Sequence, residues 1–153
     1  MTTSTRGFTF KPATIDDVPA LVSQMLARGL SDFERIGQHP VLSLPLYIHE
    51  DDSYMIYGPD GSLYGAYGVS KDNGFWVQMT DKVKENPRTT VRFGKALMEV
   101  VNRPFLWSII DIENTALIKL AKYLGFKVIG LYPYGPDNVY SIEIVRLWQL
   151  EQF

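Results

Sequence analysis

Few side chains in this sequence are equipped for chemistry. It has no cysteine, which removes thiol nucleophiles, disulfide staples and Cys-ligated zinc together. The only imidazoles are His39 and His49, ten residues apart in a proline-bearing stretch. That spacing is not a metal-ligand pattern, and both are expected to be ordinary loop histidines. Ser-His triads and most metal chemistry therefore lose their usual parts. Proton transfer is left to carboxylates. Asp111 and Glu113 stand at the end of one apolar run and Asp81 follows another, each with a solvated carboxylate as its default state. Asn114, beside Glu113, has the type and place of a helix cap.

The elements that must position these groups come from one domain over residues 1–153. At 153 residues, 46% hydrophobic and 13% aromatic, the chain can bury one real core, whereas two halves would each bury little. Fifteen Lys+Arg against seventeen Asp+Glu leave a net charge of −2 with no block of one sign. Direct binding of nucleic acid or an anionic membrane is not expected. The longest apolar runs, such as Phe105-Leu106-Trp107, are far below the roughly 20 residues that span a bilayer. Residues 1–6 form a small polar tail without a leader pattern, so a flexible tail and a cytoplasmic location are expected.

Periodicity then orders the elements. Phe8-Thr9-Phe10 alternates as a strand that stops at Pro12. Thr14 and Asp17 make a capping-box pattern before Val18, Leu21, Val22 and Met25, with Pro19 one turn inside. Ser31 and Glu34 repeat the signal for a short helix ending by Gly37. Residues 38–52, with Pro40, Pro45 and both histidines, have no sustained period and predict a covering loop. Tyr54 to Tyr57, Leu63 to Val69 and Phe75 to Met79, separated by Gly58-Pro59-Asp60-Gly61 and Lys71-Asp72-Asn73-Gly74, predict a three-strand meander. A helix from about Thr89 to Val101 follows. Phe105 to Ile112 is apolar on both faces, as a central strand should be, so Ile109 and Ile110 are both expected to be buried. Asn114 or Thr115 caps a helix with Leu117, Leu120, Ala121 and Leu124 on one face, stopped at Gly125-Phe126. Lys127 to Tyr132 and Val139 to Leu147 make a last hairpin. The order β α α β β β α β α β β implies an α/β (α+β) fold with a mixed sheet.

That order, with Asn114 followed eleven and twelve residues later by Gly125-Phe126, and with Pro12-Ala13-Thr14 ahead of Asp16-Asp17, resembles the GNAT superfamily of acetyl-CoA-dependent N-acetyltransferases. The resemblance implies acetyl-CoA as cofactor and an amine as acceptor, a protein's amine among the possibilities, with direct attack on the thioester. In the family a Gln/Arg-x-x-Gly-x-Gly/Ala run opens a helix whose free amides hold the CoA pyrophosphate. Here the run becomes Thr89 to Gly94, keeping only the last glycine; shifted by two it keeps Gly94 and Ala96 but places Val91 where Gln/Arg belongs. The resemblance thus assigns the pyrophosphate to the amides from Thr90 to Gly94, with charge from Arg88 or Arg92 and a hydroxyl from Thr89 or Thr90. It assigns the pantetheine to Val77, Gln78 and Met79, where two strands splay, and a cofactor-orienting role to Asn114.

The family Tyr that protonates the departing thiolate is replaced by Ala121, and Tyr123, about 200° further round the helix, faces elsewhere. Asp111 is the candidate general base. Tyr132, Tyr134 and Tyr140 cluster on the last hairpin, beside the acceptor mouth in this fold. The sequence is also similar to degenerate GNAT-like proteins of tailed phages, which implies an alternative in a host cytoplasm: a virion component, or a protein that binds a host protein.

Overall fold

Alternating apolar residues make the strands and four-spaced ones the helices of a computed structural model that describes residues 2–147. β1 (Thr3–Thr5) and β2 (Phe8–Pro12) form a hairpin. A 3-10 turn at Ile15–Asp17 leads into α1 (Val18–Gln24), α2 (Ala27–Arg35) and α3 (Pro40–Glu50). The meander is β3 (Asp52–Tyr57), β4 (Leu63–Val69) and β5 (Phe75–Met79). After a second 3-10 turn, Asp81–Glu85, come α4 (Pro87–Val100), β6 (Phe105–Asp111), α5 (Thr115–Tyr123), β7 (Lys127–Tyr134) and β8 (Val139–Leu147). The expected order is present with β1 and α3 added. No helix among the described residues is long and apolar enough to cross a membrane.

Both additions have physical causes. Residues 3–5, expected in a tail, pair with β2 because Arg6 and Gly7 take the positive φ of a tight turn, 52° and 85°. Thr5 and Arg6 both donate to the carboxylate of Glu99 on α4. Residues 40–50, expected in a loop, are helical because Pro40 occupies the first position, where no N–H is needed. Its buried stripe is Pro40, Leu44 and Ile48, four apart. The same rule explains Pro19, which sits in the first turn of α1. Thr14 N–H donates to Asp17 Oδ2 at 2.8 Å in the expected capping box. Ser31 is not a cap but lies inside α2.

Two sheets result. One runs β1-β2-β3-β4-β5, antiparallel throughout, and the other β6-β8-β7. They touch in a single parallel bridge, Gly74 to Trp107. Strand alternation, shifted by one residue at the irregularity where Ile56 pairs with Gly65 and Tyr57 with Leu63, sends Met55, Leu63 and Ala66 to the face covered by α1 to α3, and Ile56, Tyr64 and Tyr67 to the face covered by α4 and α5. Phe8 and Phe93, both fully buried, meet edge to face at 5.8 Å, each contributing about 1.5–3 kcal/mol by burial. Ile110 is buried as expected, but Ile109 on the opposite face is only half-buried. The outer strand β7 leaves Val128, Ile129 and Leu131 exposed.

Candidate functional site

The site begins where the two sheets part. At the bridge, Trp107 N–H donates to Asn73 O at 3.1 Å and the Ser108 hydroxyl to Phe75 O at 2.8 Å. Beyond it β5 stays with β4 and β6 with β8. Thr80 N–H donates to Tyr64 O and Ser70 N–H to Gly74 O, so the ladder with β4 uses the even-numbered residues around β5 and turns the odd-numbered ones toward the gap. Phe75 O is taken by Ser108, and Met79 O accepts from Leu26 N–H at 3.0 Å. The amide and carbonyl of Val77 are left facing the gap.

A cavity of about 570 Å³ passes through this opening. Phe93, Gly94 and Leu120 line it on the α4–α5 side, and Asp32, Tyr47 and Trp76 on the α2–α3 side. Ile109 borders it, which accounts for its partial exposure.

Of the residues assigned to the cofactor, Val77, Gln78, Met79, Thr90, Gly94 and Asn114 come together on this cavity, while Arg88, Thr89 and Arg92 lie off it. Helix α4 starts two residues earlier than expected. Asn86 caps it, its Oδ1 accepting from Arg88 N–H and its carbonyl from Thr89 N–H, both at 2.9 Å. Pro87 has no N–H to offer. The amides from Val91 to Gly94 therefore belong to the helix interior, where each donates four residues back, and the run is not a free pyrophosphate cradle.

The Thr90 hydroxyl donates to Val83 O at 2.9 Å, Thr89 is buried, and the Arg92 guanidinium lies over the Phe8 ring at 5.7 Å. Gly94 serves packing: a Cβ there would stand 2.8 Å from Leu124 Cδ1, so its absence lets α4 and α5 approach. Ala121, at the family's Tyr position, is buried on the cavity, and Tyr123 is exposed, with the Lys95 ammonium 5.7 Å from its ring.

The end of β6 carries a charge network that joins three elements. Asp111, almost fully buried, accepts through Oδ2 from Arg35 Nε and lies 3.4 Å from Arg28 Nη2, while its Oδ1 accepts from Glu113 N–H at 2.9 Å. Asp32 accepts from Arg28 Nε and from Asn114 Nδ2, each at 2.8 Å. Arg28 Nη2, itself buried, stands 2.8 Å from Asp32 Oδ1 as an ion-pair contact without an aligned hydrogen bond. Asn114 Oδ1 also caps α5 by accepting from Leu117 N–H at 3.3 Å.

Asp111 is thus held through both carboxylate oxygens, Oδ2 by Arg35 and Oδ1 by the Glu113 amide. Glu113 is exposed and pairs with Arg35, and Asp81 is exposed on the turn after β5. Sequence reasoning missed Asp32. Burial pushes its carboxyl above the ordinary value, against the opposing pull of Asn114 and Arg28. Its sequence signal is the i, i+4 spacing from Arg28.

On the α2–α3 side the walls are aromatic. Tyr47 and Trp76 pack with ring centroids 6.1 Å apart, and the Tyr47 hydroxyl donates to Gln38 Oε1 at 3.0 Å. Tyr134 reaches the cavity, whereas Tyr132 and Tyr140 point outward and are exposed. His39 is the cap of α3, its Nδ1 accepting from Val41 N–H at 3.2 Å. Among the described residues no group of three His, Asp or Glu converges as a metal site.

No protein-family model matches the sequence, and no curated protein matches it. Solved structures match the fold. The spermidine N-acetyltransferase from Vibrio cholerae, in complex with CoA and spermine, superposes with a TM-score of 0.69 at 14% identity, covering 95% of this chain and 98% of that one. AAC(6')-Ib in complex with ribostamycin and coenzyme A gives 0.71 at 15% identity over 95% and 96%. A GNAT-family acetyltransferase from Bacillus anthracis gives 0.69 at 10% identity over 96% and 98%. The architecture is that of GNAT acetyltransferases, and at these identities the likeness is one of fold.

Proposed function

We propose that this chain is a GNAT-fold N-acetyltransferase that moves an acetyl group from acetyl-CoA directly to an amine. The observation that carries this reading is the parted sheet, with a cavity passing through it beside the unladdered amide and carbonyl of Val77. These two groups suit the amides of a pantetheine arm, and Asn114 stands at the far rim of the same cavity. Acetyl-CoA, when bound, supplies an activated thioester. The pyrophosphate does not fit a backbone cradle at α4, so its charge falls to side chains: Lys84, which reaches the cavity, and Arg88, exposed in the first turn of α4.

The acceptor enters from the α2–α3 side. Its nitrogen must shed a proton from an ammonium of ordinary pKa near 10.4 before it can attack. Asp32, with its raised carboxyl on that side of the cavity, is placed to accept the proton through water. The amine nitrogen then forms the N–C bond, the thioester C–S bond breaks, and the second nitrogen-bound proton passes by water to the thiolate. Ala121 leaves no hydroxyl for that last transfer. We take the chain as one domain acting in the cytoplasm.

A second reading, a GNAT fold kept for binding another protein in a virion or a host cell, is favoured by Asn86, which closes the end of α4 where the family binds phosphate. Calorimetric titration of the full chain with acetyl-CoA, followed by thiol release with a panel of amines, separates the two. Saturable binding and amine-dependent thiol release support the transferase. No heat up to millimolar ligand, weaker than about −4.1 kcal/mol, moves the assignment to the binding protein.

A further inference from the structure

The charges that line the cavity, Arg28, Asp32, Asp51, Lys84 and Asp111, are not all paired with one another. Asp32 and Asp111 are matched by Arg28 and Arg35 at the end of β6. Asp51, at the junction of α3 and β3, lines the same cavity, and no ion pair to it is present among the described residues. Its Oδ2 accepts from Trp76 Nε1–H at 3.0 Å, which aims the carboxylate without neutralising it. The indole lies flat on β4: a Cβ on Gly68 would stand 2.3 Å from Trp76 Nε1, so only glycine leaves room for it there. Tyr47 packs on that indole, and its phenol senses both Tyr134 and Asp51. Asp51 is a lone carboxylate beside electron-rich ring faces, a combination that attracts a cation.

We propose that Asp51, with Trp76, Tyr47 and Tyr134, is a subsite for a second, protonated nitrogen of the acceptor, so that the substrate class is an elongated diamine or oligoamine. This rests on the transferase reading above. Position excludes Asp51 from holding the reacting nitrogen. The indole of Trp76 extends from β5 across β4 to reach it, which sets the carboxylate on the order of two strand spacings, ~10 Å, from the gap. An ammonium held by a carboxylate also has no free lone pair and cannot attack a thioester. The nitrogen at Asp51 anchors the molecule, and a different nitrogen reaches Val77. Burial, with Glu50 and Asp72 adding like charge, holds the Asp51 carboxyl above its ordinary value, a desolvation that a bound ammonium relieves.

The test uses linear alkyl diamines of graded chain length against monoamines of matched length. Acetyl transfer is read by thiol release, and binding of the same amines without acetyl-CoA is read by calorimetry. Long diamines are expected to bind, and to show KM values lower than those of the matched monoamines by roughly ten- to hundredfold, the scale of one charge-assisted contact. Asp51→Asn, which keeps an acceptor for the Trp76 indole, is expected to erase that preference by raising KM while kcat for diamines holds.

Diamines that bind in an Asp51-dependent way without turnover would uphold the subsite and remove the transferase. Turnover with equal KM for diamines and monoamines in the parent protein would overturn the subsite and leave the transferase standing. That last comparison needs no variant, so it stands even if Asp51→Asn folds poorly.

Discussion

Asn86→Ala tests whether the start of α4 closes on itself. The Asn86 side chain satisfies one donor, Arg88 N–H at 2.9 Å. The next, Thr89 N–H, is held by the Asn86 carbonyl, which alanine retains, and Pro87 contributes none. The substitution therefore exposes a single amide at a solvent-facing position, where water replaces the lost bond. This places the cost near the middle of the measured range for caps, about 1 kcal/mol. For a chain of this size that lowers the melting midpoint by roughly 2–4 °C. Thermal and urea denaturation read the change, with the urea slope unaltered. The same variant frees an N–H at the positive end of the helix, so affinity for acetyl-CoA should hold or rise. An unchanged midpoint would refute the capping role. A folded variant with weakened acetyl-CoA binding would make Asn86 a ligand-binding residue.

Gly65→Ala places a Cβ 2.4 Å from the Gln78 carbonyl oxygen, a backbone clash no rotamer relieves, and should cost at least about 3 kcal/mol. Gly130→Ala, with no atom within 4 Å of the new carbon, should stay within about 0.5 kcal/mol in the same denaturation assay. Ile110→Asp buries an unpaired carboxylate behind β6 at several kcal/mol, against a total stability of about 5–15 kcal/mol, and should yield a chain without cooperative unfolding. The hydrogen bond from Thr5 and the guanidinium of Arg6 hold the Glu99 carboxyl below its ordinary value. Its stabilisation of β1 is therefore complete above the ordinary carboxylate range and is lost as pH falls through the lowered value. Amide exchange at residues 3–5 should accelerate in acid with Glu99 and show no such step in Glu99→Gln.

Elements governed by local pattern were legible in the residues themselves. Asn114 caps α5 and Gly125 stops it at φ 99°, while Gly61 and Asn73 take the positive φ of the meander turns at 81° and 67°. The gap between β5 and β6 was legible only through family resemblance, since a strand that lacks a neighbour has no mark of its own. Two prolines hid α3, although Pro40, Leu44 and Ile48 keep a helical spacing. The start of α4 was readable in Asn86-Pro87, a cap followed by a first-turn proline, and was masked by the pair of threonines behind it. What joins distant segments was not readable. Arg35 and Asp111 lie 76 residues apart in the chain, and their contact follows from how α2 seats over the end of β6. The role of Asp111 changed with it, from a solvated carboxylate to a clamped one. The anchoring of β1 on Glu99 is of the same long-range kind.

The single bridge at Gly74 and Trp107 ties heat resistance to occupancy. Along the rest of the gap no rungs join β5 to β6, so the two sheets hold their angle through helix packing and side-chain contacts such as those of Arg103, Trp107 and Ser108. Any molecule that bonds to both rims supplies the missing rungs in the folded state and none in the unfolded one. At a hundredfold excess over its dissociation constant such a molecule adds about 2.7 kcal/mol. The melting temperature of a freshly purified sample is then a record of what it carries. A midpoint that falls on exhaustive dialysis, and returns when one compound is added back, would identify the natural occupant before any reaction is known.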